Sequence, residues 1–90
     1  MLNNKAIFGF IAAAVTLPAF AETQCQNHPA AEQIPPAKFQ EQLKAEGYQI
    51  RNFKKTDGNC YEIYGKNKEG KRVEIYFDTK TGQAVKSEIN

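Results

Sequence analysis

Cys60-Tyr61-Glu62-Ile63-Tyr64-Gly65-Lys66-Asn67-Lys68-Glu69-Gly70-Lys71-Arg72-Val73-Glu74-Ile75-Tyr76-Phe77-Asp78 is the stretch that decides the fold. Two runs of alternating character flank Lys68-Glu69-Gly70, a loop that ends in glycine. A three-residue hairpin loop built on a type I turn needs a left-handed residue at that last place. Closing the loop sets Asn67 opposite Lys71, and therefore Ile63 opposite Ile75 and Tyr61 opposite Phe77. Side chains alternate between faces along a strand, so Tyr61, Ile63, Val73, Ile75 and Phe77 share one apolar face. The other face receives Cys60, Glu62, Tyr64, Glu74 and Tyr76, with Tyr64 opposite Glu74 and Glu62 opposite Tyr76.

Working outward, Lys80-Thr81-Gly82 and Thr56-Asp57-Gly58 repeat the same glycine-ended pattern. If Thr79 faces Gln83, then Phe77 faces Val85 and Val73 faces Ile89, which adds Val85 and Ile89 to the apolar face. The expected strands are 48–55, 59–66, 71–78 and 83–89. Ile50 and Phe53 have opposite parity in the first of them, and a bulge near Arg51-Asn52 would let both point inward. Upstream, Pro35-Pro36 opens a run of good helix formers over 37–46, with Phe39 and Leu43 four residues apart on one face and Gly47 as the C-terminal stop. The expected fold is α+β: one N-terminal helix packed on a four-stranded antiparallel β-meander, with Phe39 and Leu43 on the apolar face.

The 90-residue chain opens with Lys5, an uncharged apolar run from Ala6 to Leu17, and Ala19-Phe20-Ala21 ahead of the first acid, Glu22. That order is the one of a cleavable secretory signal peptide over residues 1–21. The apolar run is shorter than the roughly 20 residues a membrane helix needs, so no membrane span is expected after cleavage. Residues 22–34 are polar and contain Pro29, and read as an irregular arm before a domain over 35–90. The expected location is periplasmic or secreted. Both cysteines, Cys25 and Cys60, lie beyond the cleavage site. An even pair in a small exported domain reads as a disulfide, which suits a domain with little apolar surface to bury.

Twelve basic residues stand against 10 acids in the whole chain, and without Lys5 the balance is close to neutral. Basic and acidic residues are interleaved, with no concentrated basic stripe, so nucleic acid is not an expected partner. Glu62 and Glu74 are the one carboxylate pair that could act together. On an open sheet face flanked by Lys66 and Arg72 they read as solvated side chains, not as an acid–base pair in a cleft. Cys25, His28 and Cys60 fall short of the four ligands of a closed zinc site, and a disulfide would remove two of them. No cofactor or metal is expected, and no Gly-rich phosphate loop, nucleophile elbow or Cys-x-x-Cys occurs. An enzyme is not expected. Glu62, Tyr64, Glu74 and Tyr76 instead form a candidate binding surface, which competes with the plainer reading of cross-strand pairs that merely cover the sheet.

Gly47-Tyr48-Gln49-Ile50-Arg51, Gly58-Asn59-Cys60-Tyr61-Glu62-Ile63-Tyr64, Gly70-Lys71-Arg72-Val73-Glu74 and Asp78-Thr79-Lys80-Thr81-Gly82 resemble the PepSY domain family, over about Cys25 to Val85. The likeness is to its small exported single-domain members, which pair a cysteine before the helix with one opening the Tyr-Glu-Ile-Tyr strand. Thr79 departs from them, standing where many relatives have proline. The resemblance implies a helix on an antiparallel sheet, similar to modules in peptidase propeptides, and brings no catalytic residues. It implies a non-enzymatic module that inhibits or modulates a peptidase in the cell envelope, through the outer face or an added strand near Gln83 to Ile89. The alternative is an envelope protein of structural or ligand-binding kind, metal-buffering or self-associating, for which an exposed edge strand allows a homodimer.

Overall fold

A computed structural model describes residues 22–90. The signal peptide read in residues 1–21 lies outside the described residues. A short 3-10 turn, Ala30–Glu32, leads to the helix α1 (Pro36–Ala45), and four strands follow: β1 (Gln49–Lys55), β2 (Cys60–Lys66), β3 (Arg72–Asp78) and β4 (Ala84–Ile89). The strands pair in chain order as one antiparallel sheet. The helix expected at the N-terminus is mid-chain; it precedes the sheet but follows the arm, which is itself part of the fold.

The register read from the Lys68-Glu69-Gly70 loop holds along all of β2 and β3, with Ile63 opposite Ile75 and Tyr61 opposite Phe77. The Asn67 N–H meets the Lys71 carbonyl at 2.9 Å, and Gly70 takes the left-handed conformation at φ 82°. Phe39 and Leu43 from α1 close over this face, forming one core with Tyr61, Ile63, Val73, Ile75 and Phe77. The Phe39 ring meets Phe77 edge-on at 5.0 Å and lies 5.4 Å from Tyr61. Burying such side chains supplies about 1.5–3 kcal/mol each, the main favourable term in a domain of this size. In β1 the pairing shifts between Ile50 and Asn52, leaving Arg51 as the extra residue. Ile50 and Phe53 both pack against the core as a result.

Two turns differ from expectation. In the first, the left-handed residue is Asn59 at φ 69°, not Gly58, and the Thr56 N–H bonds the Cys60 carbonyl at 2.8 Å. The loop is therefore 57–59. Gly58 is needed for a different reason: a Cβ there would stand 2.2 Å from the Thr23 carbonyl oxygen. In the third, the Asp78 carboxylate accepts the N–H groups of Lys80 at 2.9 Å and Thr81 at 2.8 Å. The Asp78 N–H then pairs with Gln83 O, so the loop has four residues, 79–82, instead of three. The register shifts between Tyr76 and Phe77, Phe77 faces Ala84, and Val85 is left as a bulge. Val85 and Ile89, expected in the core, are 50% and 56% exposed. The longer loop displaces the first, and the whole of β4 lies beyond the cover of the helix.

The arm wraps the end of the sheet where β2 begins and β3 ends. Cys25 is bridged to Cys60 with a Cα–Cα distance of 5.2 Å, and its N–H donates to the Gly58 carbonyl at 2.8 Å. At the far end of the arm the Ile34 N–H bonds the Thr79 carbonyl at 2.8 Å, and the Tyr61 hydroxyl donates to the Ile34 carbonyl at 2.6 Å. One segment thus touches both faces of the sheet. Closing the 35-residue separation between the cysteines stabilises by about 4 kcal/mol in the chain-entropy account. Gly58→Ala is expected to lift the arm at Thr23 and cost about 1–3 kcal/mol in urea denaturation of the oxidised protein, with the helix–sheet core intact by near-ultraviolet circular dichroism. An unchanged midpoint would show that the arm does not seat there.

Candidate functional site

The outer face of the sheet is built from every second residue of β2 and β3, the same alternation that fills the core on the other side. Its first half is closed by the arm. Cys60 is fully buried under the bridge, and His28 Nε2 lies 2.9 Å from Asp78 Oδ1, directly across β2–β3 from Cys60. Burial alone would raise the Asp78 carboxyl. The Thr81 amide, the His28 ring and the Lys80 amide outweigh it and bring the group down to about 2. His28, the one histidine of the chain, is thus a clasp for the arm, and the disulfide removes both thiolates from the ligand set weighed for zinc.

The four residues expected as a binding surface do come together. Glu74 is the hub: its carboxylate accepts the Tyr76 hydroxyl at 2.9 Å and is in hydrogen-bonding reach of Glu62 and Tyr64. The expectation that Glu62 and Glu74 are both solvated is corrected, because Glu62 is only 3% exposed. Burial raises its carboxyl, and the hydrogen bond to Glu74 raises it further, while Tyr76 opposes. Lys54 Nζ, at 3.9 Å on a largely exposed side chain, offsets little of this. The hydrogen bonds from Glu62 and Tyr64 lower Glu74 in turn. The two carboxyls are therefore pushed in opposite directions, Glu62 up and Glu74 down. Two carboxyls pushed apart in this way resemble an acid–base pair, but a group as sealed as Glu62 cannot reach a substrate.

The hydroxyls share the same constraint. The bond to Glu74, then burial, lifts Tyr64 to about 12, and burial followed by Glu74 raises Tyr76 as well. Of the two aromatics expected to be exposed, Tyr64 is, at 45%, while Tyr76 is half-buried with its hydroxyl turned to Glu74. Beside Tyr64 the open half of the face forms a groove of about 460 Å³, lined among others by Arg51, Lys66, Arg72, Glu74 and Glu88. Gly65 lets β1 pass close by there: a Cβ would fall 2.0 Å from the Gln49 carbonyl oxygen. The groove was not readable from the sequence as a site. The bulge at Arg51 was its one advance sign, since a bulge re-aims a side chain at a sheet edge.

Two pH responses follow. Asp78 has a folded-state value below its unfolded 3.8, so its contribution is complete above that value and is lost as pH falls through about 2. Asp78→Asn should lower the neutral-pH urea midpoint, by on the order of 1–2 kcal/mol in stability, and flatten the acid limb. Glu62 has the opposite sign. Its folded state binds the proton more tightly than the unfolded chain, so stability falls as pH rises above the ordinary 4.5. Glu62→Gln keeps a donor for Glu74 without a charge, and should remove that decline. A wild-type midpoint that stays flat above pH 4.5 would contradict a raised Glu62 carboxyl.

No curated protein matches the chain, and neither does any solved structure. The family model for the peptidase propeptide and YPEB domain, a PepSY model, matches residues 5–88. With helix, meander and bridge as described, the chain belongs to the PepSY family of peptidase propeptide and YPEB domains.

Proposed function

We propose that this chain is an exported, non-enzymatic module that inhibits or modulates a peptidase in the cell envelope, and that it docks through the open half of its outer face. Family membership supports the peptidase connection. The observation that carries the docking surface is the asymmetry of the outer face. One half is sealed by the arm, and the other presents Tyr64 beside a groove with three cations, Arg51, Lys66 and Arg72. An exposed aromatic on a rigid sheet with an arginine rim is the kind of feature that dominates binding at protein interfaces. Glu74 is already occupied by its neighbours, so the rim favours an acidic partner surface. Export fits the disulfide, which persists in oxidising compartments, and the signal peptide read from residues 1–21. The periplasm and the medium both meet that condition.

The oxidised chain from Glu22 to Asn90 is to be titrated against the exported peptidases of its source, with residual activity as the readout. Saturable loss near one equivalent is expected for the target. Tyr64→Ala and Arg72→Glu should each weaken the effect about tenfold or more with an unchanged circular dichroism spectrum. If no peptidase responds at any ratio, the peptidase reading fails; if one responds equally to all variants, the surface is wrong.

A further inference from the structure

β4 is the one strand of the sheet left uncovered along its whole length: every residue from Ala84 to Ile89 is exposed. Val85 and Ile89, on the apolar side, are two of the three large hydrophobic side chains exposed among the described residues. The other edge of the sheet is different. β1 is interrupted by the bulge at Arg51 and carries Lys54 and Lys55 in succession, which are devices that blunt an edge against pairing. β4 has its bulge only at the start, at Val85, and contains no proline.

The hydrogen-bonding groups of β4 divide by alternation. The Asn90 N–H donates to the Arg72 carbonyl at 2.9 Å. Bonded and non-bonded pairs alternate along an antiparallel ladder. Glu88 and Lys86, opposite Glu74 and Tyr76, therefore also turn their main-chain groups to β3. Ser87 and Ile89 turn theirs to solvent.

A second copy approaching this edge about a two-fold axis must set edge-facing residues against edge-facing residues, which leaves registers centred on Lys86, Ser87 or Glu88. The first sets Lys86 against Lys86 and the last sets Glu88 against Glu88, each a like-charge contact that costs free energy. The register centred on Ser87 sets Lys86 against the second copy's Glu88, twice by symmetry. On the other side of the sheet it sets Val85 against the second copy's Ile89, again twice. The segment Val85-Lys86-Ser87-Glu88-Ile89 is complementary to itself read backwards, in charge on one face and in hydrophobicity on the other. Within one chain Lys86 Nζ already lies 3.5 Å from Glu88 Oε2, so pairing exchanges an exposed contact along the strand for contacts across it.

We infer that β4 is a self-association edge, at which a second copy of this chain pairs antiparallel about Ser87 and joins the two sheets into one. The complementarity concerns the edge and stands apart from the peptidase reading, which rests on the groove beside Tyr64. Glu88 borders both surfaces, while Ser87 does not line the groove.

Sedimentation of oxidised Glu22–Asn90 from about 10 μM to 1 mM tests this, a range suited to a small interface. The weight-average mass is expected to climb towards twice the monomer. Ser87→Pro removes an N–H that faces solvent and spares the ladder to β3, as proline on an edge strand does; this variant should stay monomeric with an unchanged circular dichroism spectrum. Lys86→Glu and Glu88→Lys each place like charges across both symmetric contacts and should weaken association by about tenfold or more. The double exchange, Lys86→Glu with Glu88→Lys, should restore it. A wild-type monomer at 1 mM, a dimer indifferent to Ser87→Pro, or a double exchange no better than either single change would each overturn the inference. Peptidase inhibition by the monomeric Ser87→Pro protein reads the other proposal separately.

Discussion

The pairing of β2 with β3 is the constraint from which the rest of the molecule follows. With Ile63 opposite Ile75 and Tyr61 opposite Phe77, one face of the sheet is apolar enough to hold α1. The same register commits Glu62, Tyr64, Glu74 and Tyr76 to the opposite face, where they meet. A slip of one residue would bury the polar set under the helix and expose the core. Core and candidate site are therefore two sides of one decision, and neither could drift without the other.

The outer face carries a second constraint, of electrostatic kind. Glu62 sits where burial disfavours a charge, and Glu74 can remain an anion because its neighbours donate to it. The result is a network that holds the two carboxyls apart, with Glu62 the more readily protonated and Glu74 the less. Beside it, Arg51, Lys66 and Arg72 line the groove together with Glu74 and Glu88.

Much of this was legible in the chain itself, for identifiable reasons. Lys68-Glu69-Gly70 is a turn whose residues depend only on local backbone conformation, and its register held throughout β2 and β3. The parity conflict between Ile50 and Phe53 located the bulge at Arg51 because both side chains had to reach one core. What escaped depends on contacts distant in sequence or on side chains that compete with the backbone. Asp78 lengthened the last loop by capping two amides, which a glycine-based rule does not see, and Val85 left the core as a consequence. Gly58 looked like a turn glycine but is a point of close approach for Thr23, 35 residues upstream. The burial of Glu62 is likewise a product of assembled neighbours. Alternation alone marks it as facing outward, and nothing in its own segment says that the outside there is dry.

The arm couples folding to chemistry that only some compartments provide. Its order depends on the Cys25–Cys60 bond at one end and on hydrogen bonds to Thr79 and Tyr61 at the other. Before the thiols are oxidised, the chain lacks its covalent tie, and the arm must meet its ordering entropy with weak contacts alone. A reduced chain therefore holds the arm on the sheet for less of the time. Oxidation then acts as a ratchet on the arm: with Cys25 tied to Cys60, the contacts of His28 and Ile34 re-form within one tethered segment.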